Sequence, residues 1–190
     1  MSGPTLIVIT GSPATGKSTL ARELSERLRV PWLGKDMIKE PLLDALGAGD
    51  RAHSRRLSDA SFAVLFAVAR AMSGQMSGKR VTLILEGNFR PGEHEPLLAP
   101  LLAAGVSLIQ IECRVEESIR SRRLRQRENH PRRHPGHRDT DLLAAGLRAA
   151  RGFLDLPGRR IEFDSGAAQP DYRHLESELH LMAGSGEHAL

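Results

Sequence analysis

The chain has 190 residues, 40% of them hydrophobic, enough to bury the core of one domain and too few for two comfortable ones. Lys and Arg (27) exceed Asp and Glu (23) for a formal charge of +4, and most of the excess lies between Arg114 and Arg138, a bias toward phosphate or nucleic acid partners. One cysteine, Cys113, excludes an intrachain disulfide. With no leader pattern at the opening and no apolar window of about 18 residues, even around Phe62 to Met72 where Arg70 intrudes, a cytoplasmic protein without a membrane span is expected.

Thr5 to Thr10 is β-branched and apolar, the mark of a strand buried on both faces. A Gly/Pro/Ser-rich turn follows, and from Lys17 the spacing of Leu20, Leu24 and Leu28 is helical. Val30 to Leu33 reads as a short strand and Met37 to Leu46 as a helix. Leu57 to Met76 is a longer helix, and Val81 to Leu85 a strong buried strand ending in Glu86-Gly87-Asn88. His94 to Ala104 is helical despite Pro96 and Pro100, Val106 to Cys113 is a strand that buries the cysteine, and Glu116 to Glu128 is an arginine-rich helix. Asn129 to Arg138 is loop, Asp139 caps a helix through Ala150, Arg160 to Phe163 is a last strand, and Asp171 to Met182 is a terminal helix. Strands alternating with helices predict a three-layer α/β/α domain over 1–190 with a parallel five-stranded sheet and a frayed tail at about 183–190.

GSPATGKST supplies the functional signal. Gly11, Gly16, Lys17 and Ser18 fall at Walker A spacing, between a strand and an amphipathic helix as that motif requires. The glycines let backbone N–H groups of Gly11, Ser12, Pro13, Ala14, Thr15, Gly16, Lys17, Ser18 and Thr19, proline aside, converge on phosphate oxygens at the positive end of a helix. Lys17 is placed to bridge the β- and γ-phosphates of ATP, and Ser18 to ligate Mg²⁺. An NKxD base-reading motif is missing, and Met72-Ser73-Gly74-Gln75 matches a transporter signature only in part. A single acid, Glu86, ends the third strand where a hydrolase would carry a pair, which favours transfer to a bound acceptor over transfer to water. Glu86 is expected to bond the acceptor or Mg²⁺-bound water. Asp36, after the second strand, is expected either to orient an acceptor hydroxyl as a base or to cap the next helix. Lys39, one turn on, is expected to hold an anionic acceptor or to face solvent.

GSPATGKST, KDMIK, LILEGN and the arginine-rich helix together resemble the small P-loop kinases related to polynucleotide 5′-hydroxyl kinase, zeta toxin and chloramphenicol phosphotransferase, over about Thr5 to Asp164. The resemblance implies a P-loop NTPase fold, assigns the general base to Asp36, and makes the arginine helix and its following loop, about 114–140, a helical lid. Those relatives often carry Arg where this chain has Lys39. Arg122 and Arg125 are the arginines expected to reach the γ-phosphate, with Arg127 close behind; Arg123 and Arg127 share another face. His134 and His137 flank Pro135-Gly136, but with no cysteine and no carboxylate at ligand spacing a lid loop is expected there rather than a zinc site. Asp164-Ser165-Gly166 holds the place where such kinases pack adenine. The expected activity is phosphoryl transfer from ATP to the hydroxyl of a small molecule. A polynucleotide acceptor is the rival that the basic lid favours and the 4% aromatic content disfavours, and a switch ATPase without an acceptor is the rival from another class.

Overall fold

The computed structural model of the protein describes residues 3–75, 82–128, 130–131, 133–137, 152–168 and 170–184. Strands β1 (Thr5–Thr10), β2 (Trp32–Gly34), β3 (Thr82–Glu86), β4 (Ser107–Arg114) and β5 (Arg159–Asp164) form one parallel sheet in the order β2-β3-β1-β4-β5. Helices α1 (Lys17–Leu28), α2 (Lys35–Leu46), α3 (Arg51–Gln75), α4 (Glu95–Ala103), α5 (Glu117–Glu128) and α6 (Tyr172–Gly184) connect and cover it. This is the expected five-stranded α/β arrangement.

Side-chain alternation along β1 builds both cores. Leu6 and Val8 point to one face, where Phe62, Leu65, Phe66 and Ala69 of α3 and Leu98 and Leu101 of α4 cover them. Ile7 and Ile9 point to the other, against Leu20 and Leu24 of α1 and Leu175 and Leu179 of α6. A central strand sealed on both sides fixes its register, because a slip of one residue would exchange the two cores. Cys113 is buried on β4 as expected, and burial pushes its thiol up to about 12.

Three readings are corrected. Helix α2 begins at Lys35 with Gly34 as its N-cap, so Asp36 lies inside the first turn and is not the cap. Helix α3 begins at Arg51, six residues before its apolar run, because Asp50 accepts the backbone N–H of His53 at 2.7 Å and starts the helix in a polar stretch. Over Arg51–Gly74 α3 also has the length and, at a mean hydropathy of 1.2, the apolarity of a membrane span, contrary to expectation; its phenylalanines are packed on the sheet. Pro96 falls in the first turn of α4, where its missing N–H has no intrahelical role. The expected helix from Asp139 to Ala150, Met76, Val81, Arg132 and the tail from Ser185 lie outside the described residues.

The sheet order places β3 on one side of β1 and β4 on the other, so the loops leaving their carboxyl ends open a crevice there. Ile9 of β1, Glu86 of β3 and Gly34 of β2 lie in register, which brings the turn at Gly11, the carboxylate of Glu86 and the start of α2 to one edge.

Candidate active site

The turn between β1 and α1 closes around one carbonyl. Ser12 O accepts the Thr15 N–H at 3.3 Å, the Thr15 hydroxyl at 2.8 Å and the Lys17 ammonium at 2.9 Å. Gly11 (φ 139°) and Gly16 (φ 83°) sit in the left-handed region, and a Cβ at Gly11 would stand 2.6 Å from Cys113 O, so both positions demand glycine. Residues 11–16 therefore form a preshaped concave loop ahead of the α1 N-terminus. Burial lowers the pKa of Lys17, against the opposing pull of Glu86, Cys113 and Asp36. Ser18 and Thr19 are exposed at the mouth, and the Ser18 hydroxyl donates to Glu86 Oε2 at 3.2 Å. Glu86 is buried, and desolvation raises its pKa against the charge of Lys17. A hydroxyl beside a carboxylate, next to an ammonium at a helix N-terminus, fits a divalent cation carrying a polyphosphate.

Asp36 is half-buried. Burial alone would raise its pKa, but Lys35, His137 and Arg127 outweigh that and hold it well below the usual carboxylate range. Lys35 Nζ lies 2.9 Å from Asp36 Oδ1, and Arg127 Nη2 lies 3.9 Å from Oδ2. Lys39 does not face solvent. It is buried, donates to the Ser54 hydroxyl at 2.9 Å, and is lowered to about 8 by burial and by the like charges of Lys35 and Arg133.

On α5 the structure turns a different pair of arginines inward from the one expected. Arg122 and Arg125 are exposed. Arg123 donates to Ser165 O at 2.8 Å and to the Ser165 hydroxyl at 3.4 Å, and that hydroxyl bonds Thr15 O. Arg123 is thus tied through Ser165, just past β5, to the glycine-rich turn. Arg127, one helical turn on, reaches Asp36. Leu124 explains the orientation: it is the lone aliphatic side chain of the segment Arg120–Glu128 and is buried, so Arg122, two residues before it, must point outward.

The loop after α5 is pinned to α2 by two contacts that sequence spacing hid. His137 Nε2 pairs with Glu40 Oε1 at 2.8 Å, and His134 Nε2 with Asp44 Oδ1 at 3.0 Å. Local spacing predicts no carboxylate partner for these histidines; the partners come from 97 and 90 residues away, at helical spacing on α2. Asp36, Glu40 and His137 hold possible ligand atoms within 4.8 Å of one another. The Lys35 ammonium on Asp36 and the His137–Glu40 bond account for that cluster without an ion.

A parallel sheet of this order, a glycine-rich turn feeding a helix N-terminus, and a basic helix whose Arg123 and Arg127 reach Ser165 and Asp36 define a P-loop nucleotide-binding domain of the kinase-like type. A family model described as an AAA domain matches residues 6–152, and the chain belongs to that family. A solved candidate kinase from Chloroflexus aurantiacus is 33% identical, superposes with a TM-score of 0.82, and is covered over 97% of its chain by 94% of this one. A sugar kinase from Janibacter sp. (19% identity, TM-score 0.61, 95% of each chain) shares the fold. So does the APS kinase of Mycobacterium tuberculosis, solved with AMPPNP and APS (18% identity, TM-score 0.57, 96% of this chain and 99% of that one). A search of the curated proteins finds no match. The likeness to P-loop kinases read from the motifs holds at the level of family and fold.

Proposed function

We propose that the protein is an ATP-dependent kinase that phosphorylates a hydroxyl of a small molecule, one domain working in a reducing, cytoplasmic setting with α5 and its following loop as lid. The observation that carries this reading is the placement of Asp36. It lies close enough to Lys17 and Glu86 for both to feel its charge and 3.9 Å from Arg127 Nη2, which supports putting the acceptor hydroxyl beside it. Backbone N–H groups of Gly11 to Thr19, Pro13 aside, receive the phosphates, Lys17 balances the β- and γ-charge, and Ser18 with Glu86 provides the seat for Mg²⁺. Mg²⁺, when bound, neutralises charge that builds on the phosphate oxygens.

In the transfer step the acceptor oxygen forms a bond to the γ-phosphorus as the bond to the β–γ bridging oxygen breaks, leaving ADP, and the acceptor proton passes to Asp36. A carboxylate held low by Lys35 and Arg127 is a weak base, so Asp36 acts chiefly by orienting the hydroxyl. Arg123 and Arg127, rather than Arg122 and Arg125, are the lid cations assigned to the spreading phosphoryl charge. The test is ADP release from Mg-ATP with and without hydroxyl acceptors: acceptor-dependent release supports the kinase, and brisk release that no acceptor changes would favour a switch ATPase.

A further inference from the structure

The outward face of α3 is apolar where a surface helix ordinarily carries charge. Ala60, Ala63, Val64, Ala67, Val68 and Ala71 are all exposed, and their spacing of three and four puts them on one side, opposite the phenylalanines that pack on the sheet. Among the described residues the exposed large apolar side chains are Met37, Leu46, Val64 and Val68, and the two valines, 44% and 37% exposed, stand one turn apart at the middle of this face. Asp59 and Arg70 mark one edge of it. Eleven residues, about three turns and 16 Å, separate them, so they share a flank but are too far apart to pair within one chain. Both are exposed, and neither makes a hydrogen bond or ion pair among the described residues; the charge of Asp59 reaches Lys39 without a bond.

We propose that this face binds the same face of a second copy of the chain, the two α3 helices lying antiparallel about a two-fold axis. Along α3 the sequence is complementary to itself in that arrangement. With Ala60 opposite Ala71, Ala63 opposite Val68 and Val64 opposite Ala67, each valine meets an alanine. The two-fold axis reverses the helix direction while matching like flanks, so Asp59 of one copy comes beside Arg70 of the other, and the pair forms twice. The charges are offset from the alanine–valine register by one residue, about 1.5 Å, which an arginine side chain spans. The same register brings the exposed Arg56 to the C-terminal end of the other α3, the negative end of its dipole. A parallel pair would leave Asp59 and Arg70 about 16 Å apart along the axis. Although α3 has the length and hydropathy of a membrane span, a lipid-facing surface helix uses bulky apolar side chains with a rim of Lys and Arg. Alanine and valine instead let two backbones approach closely. Twelve residues of one helix cover less than the roughly 800 Å² per partner of a standard interface, so the dimer is reversible, with a dissociation constant on the order of 10 µM.

The test is sedimentation equilibrium of the full chain over about 1 to 200 µM, a range that brackets such an affinity. The average mass rises from one chain toward two. Ala67→Glu sets two carboxylates at the centre of the contact and weakens association at least about 10-fold. Asp59→Arg and Arg70→Glu each bring like charges together and weaken it about 3-fold or more, and the two combined restore it to within about 2-fold of wild type. Arg70→Glu is the sharper of the single changes, because it lowers the net charge of +4 and would ease general self-repulsion. Circular dichroism checks the fold of each variant; should Ala67→Glu fail to fold, the charge exchange decides. A single-chain mass at every concentration, a dimer that Ala67→Glu leaves intact, or a combined variant no tighter than the single ones would overturn the proposal. So would a monomer captured by phosphatidylcholine–phosphatidylglycerol vesicles and released by Ala67→Glu, which would give the face to a membrane.

Discussion

The Ser18 hydroxyl donates to Glu86 Oε2 across 3.2 Å, joining the first turn of α1 to the end of β3 at the floor of the crevice. That contact gathers a neutral oxygen and a buried carboxylate on one point, the donor chemistry a hard divalent cation prefers. Glu86→Gln keeps the shape and the hydrogen bond but removes the charge. It is expected to raise the Mg²⁺ concentration needed for half-maximal ADP release by about 10-fold, the scale of a lost supporting ligand, with the fold intact by circular dichroism. An unchanged Mg²⁺ requirement would remove Glu86 from the metal seat.

Asp36→Asn is expected to leave Mg-ATP affinity in place and to cut transfer about 10²-fold, the lower end for a positioned base, since the carboxylate it replaces is weakly basic. Its folded pKa is depressed, so the carboxylate contributes stability that is present above the unfolded value of about 3.9 and is lost only as pH falls through the lower folded value. Accordingly the wild-type rate should show no acid limb from Asp36 between pH 5 and 8, roughly the range well above that unfolded value. Near-normal transfer by the variant, read in single-turnover experiments, would leave Asp36 with only its ion pairs to Lys35 and Arg127.

Arg123 and Arg122 are neighbours with opposite fates. Arg123→Ala removes the link through Ser165 to Thr15 and is expected to lower stability by about 1–3 kcal/mol, the cost of charged hydrogen bonds left unmade, and to slow transfer by at least about 10-fold. Arg122→Ala, at an exposed position, should stay within about 0.5 kcal/mol of wild type and keep its rate. Thermal denaturation and steady-state assays on the pair decide it, and a reversed ranking would reinstate the outward face of α5.

Lys39 links stability to pH. Its pKa falls from 10.5 to about 8 on folding, so between those values the unfolded chain holds the proton more tightly, and stability rises as pH climbs from about 8 to 10.5. At pH 7 the buried ammonium is a liability, and Lys39→Met is expected to stabilise the fold by roughly 1–3 kcal/mol and to flatten the alkaline rise. Melting curves of both proteins from pH 7 to 10 test this; parallel curves would contradict it.

The sequence made the sheet legible because each central strand is a continuous apolar run bounded by glycine or charge, as at Thr5 to Thr10. It made the phosphate cradle legible because that chemistry is local, complete within nine residues. What it hid was assembled at a distance. Which arginines turn inward depends on Leu124, whose single aliphatic side chain was the available signal amid five surrounding arginines. Ser165 is one small residue after β5, and nothing in its own neighbourhood announces that it bridges Thr15 and Arg123. Lys35 enters the sequence reading only as the first residue of KDMIK, with no role of its own, yet its ammonium lies 2.9 Å from Asp36 Oδ1. The carboxylates of Glu40 and Asp44 had helical spacing on α2, but their histidine partners could be assigned only once the loop was folded over them.

The central claim is that the turn closing on Ser12 O, with Lys17 at its end, grips the triphosphate of ATP. Isothermal titration of Mg-ATP into the wild-type protein and into Lys17→Ala tests it most directly. Saturable one-to-one binding by the wild type, weakened at least about 10-fold in a variant that keeps its fold, is the predicted result. Absence of binding by the wild type, or equal affinity in both proteins, would contradict the account.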